Sequence, residues 1–196
     1  MYKRQRVFHV GSLSLTDDPS RTATYEAINI ARNSGAVISY DPNYRAALWS
    51  DPETAQLRMQ SLIPYVDMMK ISDEETSLLT PYQDPEEAIQ YLLRQGVHLV
   101  AVTLGRDGAL IGNENGIVKA EGFSSHAVDT TGAGDSFWGG FLASYLQEET
   151  SPEHLTRAQM IQFGRVGNAV ASLCVERRGG ISAIPEMEEI EERLRG

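Results

Sequence analysis

The sequence predicts an α/β fold on a mainly parallel sheet, and three observations carry that expectation. Short apolar strands alternate with helix-length segments along most of the chain. Several helix segments open on Asp-Pro or Asp/Ser, and two of them end on glycine. The crossovers are long enough for a helix to lie between neighbouring parallel strands.

Taken in order, "RVFHV" reads as a strand and "DPSRTATYEAINIARNSG" as a helix ended by Gly35. "AVISYDPN" is a second strand running into a Pro-Asn turn. In "DPETAQLRMQSLIPYV", Asp51 is placed to cap and Pro52 to occupy the first helical position, where its missing N–H is harmless. "VDMMKI" is a third strand and "SDEETSLL" an acidic helix start. "DPEEAIQYLLRQG" repeats the Asp-Pro opening and glycine ending, and "HLVAVTLG" is a fourth strand. The period then changes: "GALIGNENGIVKAEGF" alternates around Asn-Glu-Asn-Gly and predicts a hairpin. "FSSHAV" is expected as a strand leading into helices over roughly 134–148, 155–176 and 186–195. With no repeat, low-complexity tract or linker, residues 1–196 are expected to form a single domain.

Composition narrows the function. The chain has 196 residues, 41% of them apolar, and a net charge of −10, which favours neither nucleic acid nor an anionic membrane. No apolar run approaches the roughly 18 residues of a membrane span, and no apolar signal core follows the basic "MYKRQR". A soluble, cytoplasmic protein is expected. The one cysteine, Cys174, lies in the apolar run "NAVASLCV" and reads as a buried thiol of a reducing compartment. Histidines 9, 98, 126 and 154 lack metal-ligand spacing.

The chemistry-bearing stretch is "DTTGAGDSFWGG" at 129–140. In parallel α/β folds ligands bind beyond the carboxyl ends of strands, where loops enter helices. Gly132, Ala133 and Gly134 leave successive N–H groups unobstructed at the positive end of a helix dipole, which suits an anion. A Gly-x4-Gly-Lys phosphate loop is absent, and Phe137 occupies the place where a dinucleotide-binding Gly-x-Gly-x-x-Gly needs a small residue. Asp135 would repel a resting anion. It suits a reaction in which a carboxylate takes a proton while negative charge passes over the neighbouring N–H groups, as in phosphoryl transfer to a hydroxyl. The competing reading is an ordinary capping turn with Asp135 as a first-turn acid.

The whole string closely resembles the C-terminal signature of the ribokinase-like PfkB carbohydrate kinases. "TLGRDGAL" (103–110) resembles that family's nucleotide loop, and "FGRVGNAVASLCVERRGGISAIP" its closing segment beside the adenine and a monovalent cation. "MKISDEET" resembles the acidic stretch that helps place magnesium. "SYDPNYRAALW" resembles a segment frequent in fructokinases and 2-keto-3-deoxygluconate kinases. The resemblance implies a three-layer α/β/α ribokinase-like fold and ATP-dependent phosphorylation of a small sugar, fructose being favoured.

The resemblance also assigns roles. Asp135 is the base for the sugar hydroxyl, with Gly132, Ala133, Gly134 and the Asp135 N–H as the anion hole. Thr103, Gly105 and Gly108 line the ATP phosphates, the plain alternative being a strand-to-hairpin turn. Asn168 goes to the adenine side, or is a polar residue on a helix surface. Glu75 orders water around Mg2+, or is a first-turn helix acid; Ser72 stands where the family usually has asparagine. Asp129 and Thr131 help hold a monovalent cation such as K+. Arg45 binds the substrate, at a phosphate or at an anionic end of the sugar.

The family's first strands, its Gly-Gly signature and the small β lid over the sugar have no counterpart. "FHVGSLSL" resembles the middle of a relative, so the chain is expected to be an N-terminally truncated kinase, weak or inactive alone. Pairing into a homodimer belongs to the full-length parent. Three rivals remain. One is a 2-keto-3-deoxygluconate kinase using Arg45 on a carboxylate, one a non-catalytic nucleotide-binding remnant, and the least favoured a dehydrogenase.

Overall fold

The computed structural model describes residues 5–196; the basic stretch read at the extreme N-terminus lies, for Met1–Arg4, outside the described residues. The chain is α/β, with a six-stranded, mainly parallel sheet and seven α-helices among the described residues. By its internal contacts it divides into two compact units, Met1–Ala101 and Val102–Gly196.

In the first unit, strands β1 (Val7–Gly11), β2 (Val37–Asp41) and β3 (Met68–Ser72) run parallel. β1 pairs with β2 from Val7↔Val37 to Gly11↔Asp41, and β2 with β3 through Ser39↔Met68 and Tyr40↔Met69. Ile38, Tyr40, Met68, Met69 and Ile71 are fully buried, so β2 and β3 have little of the in/out alternation of a half-exposed strand. α1 (Ser20–Asn33) and α2 (Pro52–Gln60) connect them, and the short α3 (Thr76–Leu79) and α4 (Pro85–Arg94) follow β3.

The capping signals act as read. Asp51 Oδ1 accepts the Thr54 N–H at 2.7 Å and Asp84 Oδ1 the Glu87 N–H at 2.9 Å, each with proline at the first helical position. The helix expected over 51–66 ends sooner, at Gln60, and a separate 3-10 turn covers Ile63–Tyr65. Pro64 explains the break, because proline inside a helix removes a bond and clashes with the preceding turn.

β4 (Leu99–Thr103) contains the boundary between the units. In the second unit, β5 (Ala109–Asn113) and β6 (Gly116–Ala120) form the predicted hairpin, paired antiparallel from Asn113↔Gly116 to Ala109↔Ala120. Helices α5 (Ala133–Tyr145), α6 (Arg157–Cys174) and α7 (Met187–Arg195) follow close to their expected bounds.

Helices α5 and α6 cross on glycines. A Cβ at Gly140 would lie 3.1 Å from the Gly167 Cα, and one at Gly167 would lie 2.7 Å from the Phe137 carbonyl oxygen. Bare backbone at the crossing lets Phe137, Trp138 and Phe141 bury beside it, Trp138 stacking on Phe141 at 5.0 Å. Cys174 is buried and free.

The strand expected at 123–128 does not form. Residues 121–128 are irregular, and the two ends of the stretch are tied to Asn168 of α6 and to Val175 just past it. The N–H groups of Val128 and Asp129 both go to the Val175 carbonyl, at 2.7 and 3.1 Å. The Asn168 amide takes the carbonyls of Ala120 and Glu121, at 2.9 and 3.0 Å. Held at its ends in this way, the segment satisfies those backbone groups without a ladder.

Candidate functional site

In the second unit, the signature loop enters α5 through Gly132, whose φ of 78° is a left-handed conformation open to glycine at little strain. A Cβ there would also come within 3.2 Å of the Gly180 Cα, so the glycine serves both turn and packing. The Gly132 carbonyl accepts the Ser136 N–H at 2.8 Å, starting the helix, and the Thr130 carbonyl accepts the Ala133 N–H at 3.2 Å. Asp135 follows in the first turn and is exposed. A carboxylate there faces the positive end of the α5 dipole.

A cavity of about 280 Å³ lies beside this turn. Three residues assigned from sequence, Gly105, Ala133 and Asn168, line it together with Arg106, Gly122 and Phe123. Thr103, Gly108, Gly132, Gly134 and Asp135 stand outside its wall. Its interior is mainly apolar, as a nucleobase or other flat ligand requires. Arg165 stacks over the Phe123 ring at 5.5 Å. Arg193 braces the Ser172 side of the wall, donating to Ser172 Oγ at 2.9 Å and to both Glu176 oxygens at 3.0 Å.

Asn168 is buried, not on the helix surface. Its Nδ2 donates to the carbonyls at the end of β6, so it fixes the cavity rim and leaves Oδ1 as the atom able to meet a ligand.

Gly122 was not foreseen. A Cβ on Gly108 would fall 2.1 Å from the Ala120 carbonyl oxygen, and one on Gly122 would fall 2.1 Å from that of Arg106. The 105–108 loop and the exit of β6 therefore touch backbone to backbone. The only sequence signal was an isolated glycine just past a strand, which marks a close approach without naming its partner.

Asp129 ties the signature loop to the segment after α6. Its Oδ1 accepts the Thr131 N–H at 2.9 Å and its Oδ2 the Gly179 N–H at 3.0 Å. These bonds, that from Gly179 foremost, lower its pKa from 3.8 to about 2. A depressed carboxylate pKa adds stability that is fully present above the unfolded value and lost as pH falls through the folded one. The expected outcome for Asp129→Asn is a stability deficit at neutral pH that narrows between about pH 4 and pH 2. Thermal melts of both proteins across that range measure it; a gap independent of pH contradicts the assignment. Thr131 is exposed, and its carbonyl faces Cys174 Sγ at 3.9 Å.

In the first unit, Glu75 is buried. Its Oε1 accepts the Tyr44 N–H at 2.8 Å, and its Oε2 accepts from Ser72 N–H at 2.9 Å and Ser72 Oγ at 3.1 Å. It is a first-turn acid in a capping box with Ser72, and it also reaches the 42–45 turn. Arg45 is exposed, its Nη1 donating to the Tyr44 carbonyl at 3.0 Å. Sequence reading also passed over Asp41 and Lys70, whose side chains pair at 2.8 Å while 3% and 5% exposed. The available signal was a charge inside each of two otherwise apolar strands.

Comparison with known proteins gives consistent matches. The family described as pfkB family carbohydrate kinase matches residues 2–187. Probable fructokinase-4 of Arabidopsis thaliana is 36% identical over 193 residues, covering 97% of this chain and 58% of that protein. Putative fructokinase-8 of the same plant is 36% identical over 184 residues, with 93% of this chain and 87% of that one covered. Among solved structures, the fructokinase of Vibrio cholerae O395 in fructose-, ADP- and calcium-bound form superposes with a TM-score of 0.90 at 31% identity, over 99% of this chain and 62% of that one. The aminoimidazole riboside kinase of Salmonella enterica, complexed with aminoimidazole riboside and an ATP analog, gives 0.87 at 27% identity, covering 98% and 64%. The chain thus spans under two thirds of the length of several of these relatives.

Proposed function

The chain belongs to the pfkB family of carbohydrate kinases, and from that premise we propose that the whole protein moves the γ-phosphoryl group of ATP to a sugar hydroxyl, with fructose as acceptor and fructose 6-phosphate as product. Fructokinases recur among the similar proteins, and one of the solved structures holds fructose and ADP. The observation that carries the reading is Asp135, exposed in the first turn of a helix entered through a left-handed glycine, beside a nucleoside-sized cavity.

In this reading Asp135 accepts the proton of the sugar's primary hydroxyl as its oxygen bonds to the γ-phosphorus and the bond to the ADP oxygen breaks. The Gly132, Ala133, Gly134 and Asp135 amides, at the positive end of the α5 dipole, stabilise charge on the transferring group. Thr103, Gly105 and Gly108 hold the nucleotide phosphates, with Asn168 on the base side.

The residues fit the expected cations. Glu75 carries three hydrogen bonds, and a carboxylate offers about four acceptor positions. One remains for a metal-bound water, which suits an ion that keeps much of its hydration shell. Asp129 and Thr131 supply oxygen donors appropriate to K+. Magnesium, when bound, neutralises charge on the terminal phosphates.

Arg45 supports a second acceptor reading, 2-keto-3-deoxygluconate, because an exposed guanidinium suits a carboxylate. A panel of both sugars separates the two. Because the chain covers 58% of a relative such as probable fructokinase-4, we place full activity in the whole protein and expect slow turnover from this chain alone. Calorimetry with a non-hydrolysable ATP analogue and Mg2+, with and without fructose, tests the reading. Analogue binding is the expected result, and its absence contradicts a kinase. Phosphorylation of fructose at a full-length relative's rate contradicts the slow-chain expectation.

A further inference from the structure

The 42–45 turn is tied at three successive residues. It leaves the C-terminal end of β2, the side of a parallel sheet where ligands bind. Among the described residues, Asn43 is the one non-glycine with positive φ, at 49°. Three successive backbone groups are tied from outside the turn. The Pro42 carbonyl accepts from Ser12, through both its N–H at 3.3 Å and its Oγ. The Asn43 N–H donates to Asp41 Oδ1 at 3.1 Å, and the Tyr44 N–H to Glu75 Oε1 at 2.8 Å.

The Asp41–Lys70 pair is the least economical part of this arrangement. The register places the two residues side by side on β2 and β3, one step beyond Tyr40↔Met69. Two charges buried among apolar strands gain little net stability over apolar side chains of similar size. Their presence is accounted for by what Asp41 does next. Lys70 Nζ holds one carboxylate oxygen of Asp41, and the other oxygen accepts the N–H of the left-handed residue. A strained residue fixed from several sides is the pattern of a ligand-positioning element.

We propose that Asp41 and Lys70 are positioning residues which, together with Glu75, fix the 42–45 turn in its acceptor-binding shape before any ligand arrives. The choice of acceptor rests on the kinase reading above; the preformed turn does not.

Two double variants isolate the bond. Asp41→Ala/Lys70→Met removes both charges and the acceptor for the Asn43 N–H. Asp41→Asn/Lys70→Met removes both charges but keeps that acceptor. Hydrogen exchange of the intact chain is expected to quicken about tenfold at Asn43 and Tyr44 in the alanine pair, and to stay near the wild-type rate in the asparagine pair. With fructose, KM rises about tenfold in the alanine pair and less than about threefold in the asparagine pair, while the dissociation constant of the ATP analogue stays within about twofold in both. Equal exchange in the wild type and the alanine pair, or acceleration spread through the whole first unit, overturns the proposal. Glu75→Ala is an independent arm, applied also where the alanine pair does not fold: Tyr44 exchange rises about tenfold, and an unchanged Tyr44 overturns it. If wild-type turnover of fructose is undetectable, the kinase reading has failed and the exchange data alone decide the proposal.

Discussion

Asp135→Asn is expected to lower fructose-dependent ATP turnover by about 10²- to 10⁴-fold, the range carried by a positioned general base. Asparagine has nearly the same shape and keeps the first-turn geometry of α5, but cannot take a proton at neutral pH. The cavity beside the turn is lined by Gly105, Ala133 and Asn168, and Asp135 is not in its wall. Binding of an ATP analogue should therefore change less than about twofold, with a slight tightening once a negative charge leaves the path of the γ-phosphate. Calorimetry gives the binding half, and a prolonged assay of labelled phosphate transfer gives the turnover half even for a slow chain. Turnover retained within about tenfold rejects the base, since the amide keeps the shape of Asp135 and loses its ability to take the proton. Loss of binding together with turnover places the residue in nucleotide affinity instead.

Much of the fold was legible because local signals agreed with one another. Asp51-Pro52 and Asp84-Pro85 marked helix starts whose capping bonds formed, and Asn113 to Gly116 marked the hairpin. The failed strand at 123–128 shows where that legibility stops. The stretch is anchored at either end by Asn168 and Val175, more than forty residues away, which take the carbonyls of Ala120 and Glu121 and the N–H groups of Val128 and Asp129. The turn that enters α5 was readable for the same local reason, since "GAGD" announces it. Partnership was not. Nothing in "VISYD" or "MMKIS" says that Asp41 and Lys70 meet, and nothing in "DEET" says that Glu75 reaches Tyr44. Those contacts are set by strand order and register, which sequence period alone does not fix.

Gly108→Ala carries the largest expected loss of stability, and the reason is geometric. Gly108 has φ 92° and ψ −131°, a region that L-residues scarcely enter. Its new methyl would meet the Ala120 carbonyl oxygen at 2.1 Å and the Gly122 nitrogen at 2.6 Å, both rigid backbone. Strain of about 1–3 kcal/mol from the dihedral adds to about 1–3 kcal/mol from overpacking. The sum is a large part of the roughly 5–15 kcal/mol that holds a domain together. Gly105→Ala is the matched control, because its φ of 56° is an ordinary left-handed value and no atom lies within 4 Å of the new carbon; it should lose about 1–2 kcal/mol. Urea unfolding of both variants measures the difference, and equal midpoints would show that the Gly108–Gly122 contact is not what holds the loop. The same contact bears on binding. Gly105 and Arg106 form one rim of the cavity, Gly122 and Phe123 another, and the contact of Gly108 with Ala120 and Gly122 sets the spacing between them. A methyl wedged at that point spreads the rims, so whatever Gly108→Ala remains folded should bind the ATP analogue at least about tenfold more weakly.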